Sequence, residues 1–116
     1  MTAPKIDSYR FGQVVVDGEV HTKDVIILPD RVIGGWWRRD GHALHPADLE
    51  ALIEAAPDVL VVGKGAYGRM QITPAARDAL KTAGIRLLSE STEAACQRYN
   101  RLREDCKAAA ALHLTC

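Results

Sequence analysis

Residues 58–68, from Asp58 to Gly68, read DVLVVGKGAYG. The run Val59-Leu60-Val61-Val62 is continuously apolar, the pattern of a strand covered on both faces, and it predicts the central strand of a sheet. Gly63-x-Gly65-x-x-Gly68 follows at once. That spacing is the one with which dinucleotide-binding loops turn tightly and bring backbone N–H groups against a pyrophosphate.

Toward the C-terminus, Thr73 and Pro74 open a helix over about 74–83, with Ala76, Ala79, Leu80 and Ala83 on one face and Gly84 as its stop. "IRLLS" reads as the next strand. Thr92 is placed to cap a third helix whose inner positions are Ala95, Tyr99, Leu102 and Cys106, and "AAAALHLTC" reads as a final strand. Strand, helix, strand, helix, strand with right-handed crossovers makes three parallel strands.

Toward the N-terminus, Pro46 starts a helix over about 46–56 with Leu49, Leu52, Ile53 and Ala56 on one side. "DVIILP" and "RVIGGWWRR" read as strands, the second bent at Gly34 and Gly35. "FGQVVV", the turn pair Asp17-Gly18 and "EVHT" form a hairpin. The expected fold is therefore α/β: a single three-layer domain over residues 1–116, with a mixed central sheet and an N-terminal antiparallel hairpin region followed by a βαβαβ half. Residues 1–5 are expected as a mobile tail.

The chain has 116 residues with 15 basic and 15 acidic side chains, so no net field draws it to nucleic acid or to an anionic membrane. "MTAPKIDSYR" lacks the apolar stretch of a signal peptide, and no window approaches the roughly 20 apolar residues of a membrane span. A cytoplasmic protein without membrane insertion is expected. Cys96, Cys106 and Cys116 match neither a disulfide framework nor a C-x-x-C metal site, and are expected as reduced thiols.

In the glycine loop, Gly63, Lys64, Gly65, Tyr67 and Gly68 would line a ligand site, with Arg38, Lys64 and Tyr67 gripping an anion. Glu90, 22 residues beyond Gly68, stands where a ribose-binding acid would. "RMQIT" separates the loop from the helix at Pro74, however, so the loop does not open into that helix's positive end. The plainer reading gives the glycines positive φ or tight packing.

In "WWRRDGHALH", alternation sends Trp36 and Arg38 to one face and Trp37 and Arg39 to the other, with one indole in the core and arginines on the rim. His42 and His45 lack a third partner at metal-ligand spacing, and His45 reads as a helix cap. His21 reads as solvated at a hairpin edge. His113 and Cys116 fall on opposite strand faces and make no nucleophile pair. No catalytic residue, metal or cofactor is expected from spacing.

"WWRRDGH", "DLEALIEAAPDVLVVGKGAYGRM", "TEAACQRYNRL" and "ALHLTC" together resemble one small family over roughly residues 6–116. It is the Mth-type domain family, whose eukaryotic members include the adipogenesis-associated Mth-type domain protein and, more distantly, NADH:ubiquinone oxidoreductase complex assembly factor three. The resemblance implies a three-layer α/β fold and supplies no catalytic residues. It also implies a role through protein contacts, with assembly of a respiratory complex as one form. Two functions are expected in order: a non-enzymatic binding or assembly module with a protein partner or a second copy of itself, then a nucleotide or small-anion protein, or a small enzyme, using the Gly63–Gly68 loop.

Overall fold

The computed structural model describes residues 3–115. Three strands come first: β1 (Ile6–Arg10), β2 (Gln13–Val16) and β3 (Glu19–His21). Then follow β4 (Val25–Ile27), β5 (Val32–Gly34) and β6 (Ala43–Leu44). A 3-10 turn at Pro46–Leu49 runs into α1 (Glu50–Ala55). The second half is β7 (Val59–Lys64), β8 (Gln71–Ile72), α2 (Pro74–Thr82), β9 (Arg86–Glu90), α3 (Thr92–Asp105) and β10 (Ala108–His113).

Five strands form the main sheet in the order β5-β4-β10-β7-β9. Strands β10, β7 and β9 are parallel, and β4 and β5 each run antiparallel to their inner neighbour. This is the expected mixed sheet with one correction: β10, not β7, is its middle strand. Both runs are apolar, but Ala108 to Ala111 are fully buried and small enough to let layers approach from both sides. Sequence order does not reveal that the last strand inserts between β4 and β7.

One face of the sheet (Ile26, Leu60, Val62, Ala109, Ala111) packs on α1 and α2 through Leu49, Leu52, Ala76 and Leu80. The other (Val25, Ile27, Val59, Val61, Ala110, Leu112) packs on α3 and on β1–β2 through Ala95, Tyr99, Ile6, Val14 and Val16. The three layers follow from these two cores.

The Asp17-Gly18 turn joins β2 to β3 as expected, with Asp17 at φ 48 and Gly18 at φ 79. The additional strand β1 is largely exposed and polar apart from Ile6 and Tyr9, so it carries little apolar signal. It pairs with β2 across Phe11-Gly12 and extends the hairpin to a three-stranded sheet. Within the segment expected as a tail, Ala3 and Pro4 accept hydrogen bonds from Arg103 and Tyr99. Residues 1 and 2, like Cys116, lie outside the described residues.

Thr73 caps α2, its hydroxyl accepting from the Ala76 N–H at 3.1 Å, with Pro74 as the first helical residue. In α3 the cap falls on Ser91, and Thr92 is the first residue inside. The Thr92 hydroxyl is held elsewhere.

Candidate functional site

The carboxyl ends of the parallel strands gather most of the chemistry. Asp24, just before β4, Leu114, just after β10, and His113 meet there. Asp24 Oδ1 accepts from the Leu114 N–H at 2.8 Å, and Oδ2 accepts from Arg38 Nη1 at 2.8 Å and lies 2.8 Å from His113 Nδ1. Arg38 Nη2 also lies 3.1 Å from the same ring nitrogen. One nitrogen cannot donate and accept in the ring plane at once, so the anionic oxygen fixes it as a donor. Arg38 Nη2 then turns to the Gly41 carbonyl at 3.4 Å.

Burial alone would raise the Asp24 pKa. The bonds from His113, the Leu114 N–H and Arg38 outweigh that and hold it below its ordinary 3.8. Arg38 is almost wholly buried and stacks 4.7 Å from the centre of the Trp36 ring. Chain alternation thus holds through the tryptophan-arginine segment, with Trp36 and Arg38 inside and Trp37 and Arg39 out, although no strand forms there.

Lys64 pairs in register with His113, placing it one strand along from that cluster, and it is half-buried. Beyond it the glycine loop turns inward. Gly65 N–H donates to Thr92 Oγ1 at 2.9 Å, Ala66 N–H to the Thr115 carbonyl at 2.6 Å, Gly68 N–H to the Gly65 carbonyl at 3.1 Å and Met70 N–H to the Lys64 carbonyl at 3.0 Å. A phosphate cradle needs such groups pointing into one open concavity. These four are all taken by the protein itself.

The glycines serve conformation and contact. Gly65 and Gly68 have φ 101 and φ 66, and a Cβ on Gly63 would meet Thr92 Oγ1 at 2.9 Å, Thr92 Cα at 3.0 Å and Leu112 Cδ2 at 3.1 Å. Glu90 stands beside Gly63 on β9, but its carboxylate is engaged by Arg98 at 2.8 and 3.0 Å. Tyr67 points outward, its ring centre 6.5 Å from that of Phe11 and 5.5 Å from the Arg69 guanidinium. The structure therefore brings Arg38 and Lys64 to one end of the sheet, packs Gly63 and Gly65 on Thr92 of α3, closes Gly68 back on Gly65, turns Tyr67 outward and commits Glu90 to Arg98.

Of the histidines, His21 differs from expectation and His45 does not. His21 is half-buried with its ring against Gly34 of β5, and Nε2 is enclosed and unpartnered. His45 stands at the cap position, where its N–H donates to the Asp48 carboxylate at 2.9 Å, and its ring lies 3.9 Å from Asp40. Among the described residues no three metal-ligating side chains converge.

Beside this end lies a groove of about 790 Å³ between the edge of the sheet and the start of α1. Ile26, Ile33 and Trp36 provide its apolar surface, Trp37 stands on it 77% exposed, and Arg39 and Glu50 add opposite charges. Trp36 is anchored there by its indole N–H, which donates to the Asp48 carbonyl at 3.3 Å. Sequence reasoning found the two indoles but not the groove. It also missed Asp24, which lies 89 residues from the imidazole it orients.

The family model described as "Protein of unknown function (DUF498/DUF598)" matches residues 6–113. A conserved hypothetical protein of Pyrococcus horikoshii is similar at 28% identity over 97% of this chain and 99% of its own, with a TM-score of 0.82. A Bartonella henselae structure described as an outer membrane protein has 24% identity, coverage of 98% and 97%, and a TM-score of 0.84. A Mth938-like domain of Bordetella pertussis has 20% identity, coverage of 96% and 85%, and a TM-score of 0.70. Among the described residues no helix is long and apolar enough to cross a membrane.

Proposed function

The chain belongs to the DUF498/DUF598 family, and from that premise we propose a non-enzymatic binding or assembly module that seats a segment of a partner protein in the groove beside Trp36 and Trp37. One observation carries this reading: an indole 77% exposed beside a groove of about 790 Å³ with an apolar surface. A large aromatic left in water next to an apolar concavity is the usual make-up of an interface anchor. The resemblance to NADH:ubiquinone oxidoreductase complex assembly factor three directs the search for the partner to subunits of a membrane complex. The inward-turned amides of the glycine loop and the Glu90–Arg98 pair give the nucleotide reading no support.

The test compares Trp37→Ala with wild type in cross-linked capture from the native cell. The expected result is loss of a specific partner with an unchanged melting temperature, since the ring is largely in water. Capture that survives Trp37→Ala, or a nucleotide that raises the wild-type melting temperature, would sink the proposal.

A further inference from the structure

We infer that the free edge of β9 is a self-association surface, on which a second copy of this chain adds its own β9 antiparallel and centred on Leu88. The inference is independent of the Trp37 groove, which lies at the opposite edge of the main sheet. β9 is the last strand in the order β5-β4-β10-β7-β9 and pairs only with β7. The Arg86 N–H donates to the Asp58 carbonyl at 3.1 Å, so the backbone groups of Arg86, Leu88 and Glu90 face β7 and those of Leu87 and Ser89 face away. Among the described residues no other backbone group bonds to Leu87 or Ser89.

The other edges are short or interrupted. β5 has three residues and turns off at Gly35, φ 66. β3 also has three. β1 is irregular between Ile6 and Ser8, and Asn100 takes up the Ile6 N–H and carbonyl. β9 keeps five residues in regular register, with Leu87 and Leu88 half-buried. An edge left open in this way is a template for another strand.

Self-complementarity names the occupant. Outward groups must oppose outward groups, which allows a two-fold axis at Leu87, Leu88 or Ser89. An axis at Leu88 sets Leu87 against Ser89 of the second copy in hydrogen-bonded pairs, Leu88 against Leu88, and Arg86 against Glu90 twice. An axis at Leu87 or Ser89 sets Arg86 or Glu90 against Leu88 and loses both ion pairs. Arg86 is exposed and forms no ion pair among the described residues. Glu90 holds Arg98 of its own chain yet its side chain is still 29% exposed, which leaves acceptor positions for a guanidinium opposite. The helices beside the strand carry both signs, Arg77, Asp78 and Lys81 on α2 and Glu93 and Arg98 on α3, and the chain is neutral, so no net repulsion opposes pairing. Pairing joins two five-stranded sheets into one of ten, with a Trp37 groove near each outer edge.

The test is sedimentation of the full chain over a concentration series reaching about 1 mM, with amide exchange on the same samples. A dimer is expected, and the Leu87 and Ser89 N–H groups should gain protection as it forms, whereas that of Arg86, already bonded to Asp58, should not. Arg86→Glu, at an exposed position, should fold as wild type does and weaken the dimer about tenfold or more, since carboxylates then face each other across both pairs. Ser89→Pro removes an outward N–H without touching the bonds to β7 and should leave a monomer. A chain that stays monomeric throughout, a dimer without protection at Leu87 and Ser89, or one that Arg86→Glu leaves equally tight would each overturn the inference. So would a monomer that captures an extended segment of another protein and loses it with Ser89→Pro, because the edge would then serve a foreign strand. Trp37→Ala should dimerise as wild type does, so failure of the groove reading leaves this one standing; a monomeric Trp37→Ala would move the interface to the groove.

Discussion

At Asp24, two carboxylate oxygens meet Arg38, His113 and the Leu114 N–H, so one side chain fixes the start of β4, the end of β10 and the loop that carries both tryptophans. Removing the charge leaves the Arg38 guanidinium almost wholly buried without its counter-ion. Breaking a buried pair in this way costs about 3–5 kcal/mol, so Asp24→Asn should markedly destabilise the domain at neutral pH. The pH dependence follows from the depressed pKa. A carboxyl held below its ordinary 3.8 binds fewer protons folded than unfolded, so its contribution is complete above that value and is lost as pH falls through the folded one. Urea unfolding should therefore show the gap between wild type and Asp24→Asn narrowing below about pH 4. A gap that stayed constant down to pH 2 would mean that the interaction is not ionic.

Among the elements, the junction of β7, α3 and β10 depends on Thr92. Its hydroxyl accepts from the Gly65 N–H at 2.9 Å and donates to the His113 carbonyl at 2.5 Å, while its own N–H donates to the Gly65 carbonyl at 3.1 Å. Thr92→Val keeps the shape and strands two polar groups, so a loss of about 1–3 kcal/mol is expected in denaturant unfolding, with Thr92→Ser close to wild type. Equal stability of Val and Ser would sink this role. The sequence made α2 and the β2–β3 turn legible because Thr73-Pro74 and Asp17-Gly18 act on their own backbone. It made β7 and β10 legible as strands through apolar runs. It could not order them, and it assigned Thr92 a local cap, because partners 21 and 27 residues away leave no periodic mark. The two-residue bridge between β6 and β8 is too short to show a pattern. Of the site, the indoles and arginines were visible as letters, whereas the groove needed the sheet edge and α1 brought together.

Across the whole molecule, the first strand is clasped to the last helix. The Asn100 side chain accepts from the Ile6 N–H at 2.9 Å and donates to the Ile6 carbonyl at 2.7 Å, and the Tyr99 hydroxyl donates to the Pro4 carbonyl at 2.7 Å. Under that clasp lies Cys96, 5% exposed, at the side of a 220 Å³ cavity that Ile6 and Asn100 also line. Burial pushes its thiol up to about 12, so it presents almost no thiolate at neutral pH, and alkylation requires an opening. Two routes exist: unfolding of the whole domain, or release of β1 alone while β10, bonded on both sides, stays paired. Asn100→Ala removes two hydrogen bonds that either route breaks, easing each by about 1–3 kcal/mol and speeding Cys96 alkylation by about tenfold or more. Amide exchange in β10, measured in the same samples, reports global unfolding, and the opening free energy at Cys96 should be smaller than that at β10 in wild type and variant alike. Equal opening free energies at Cys96 and β10 would show that the N-terminal sheet and the main sheet open as one unit.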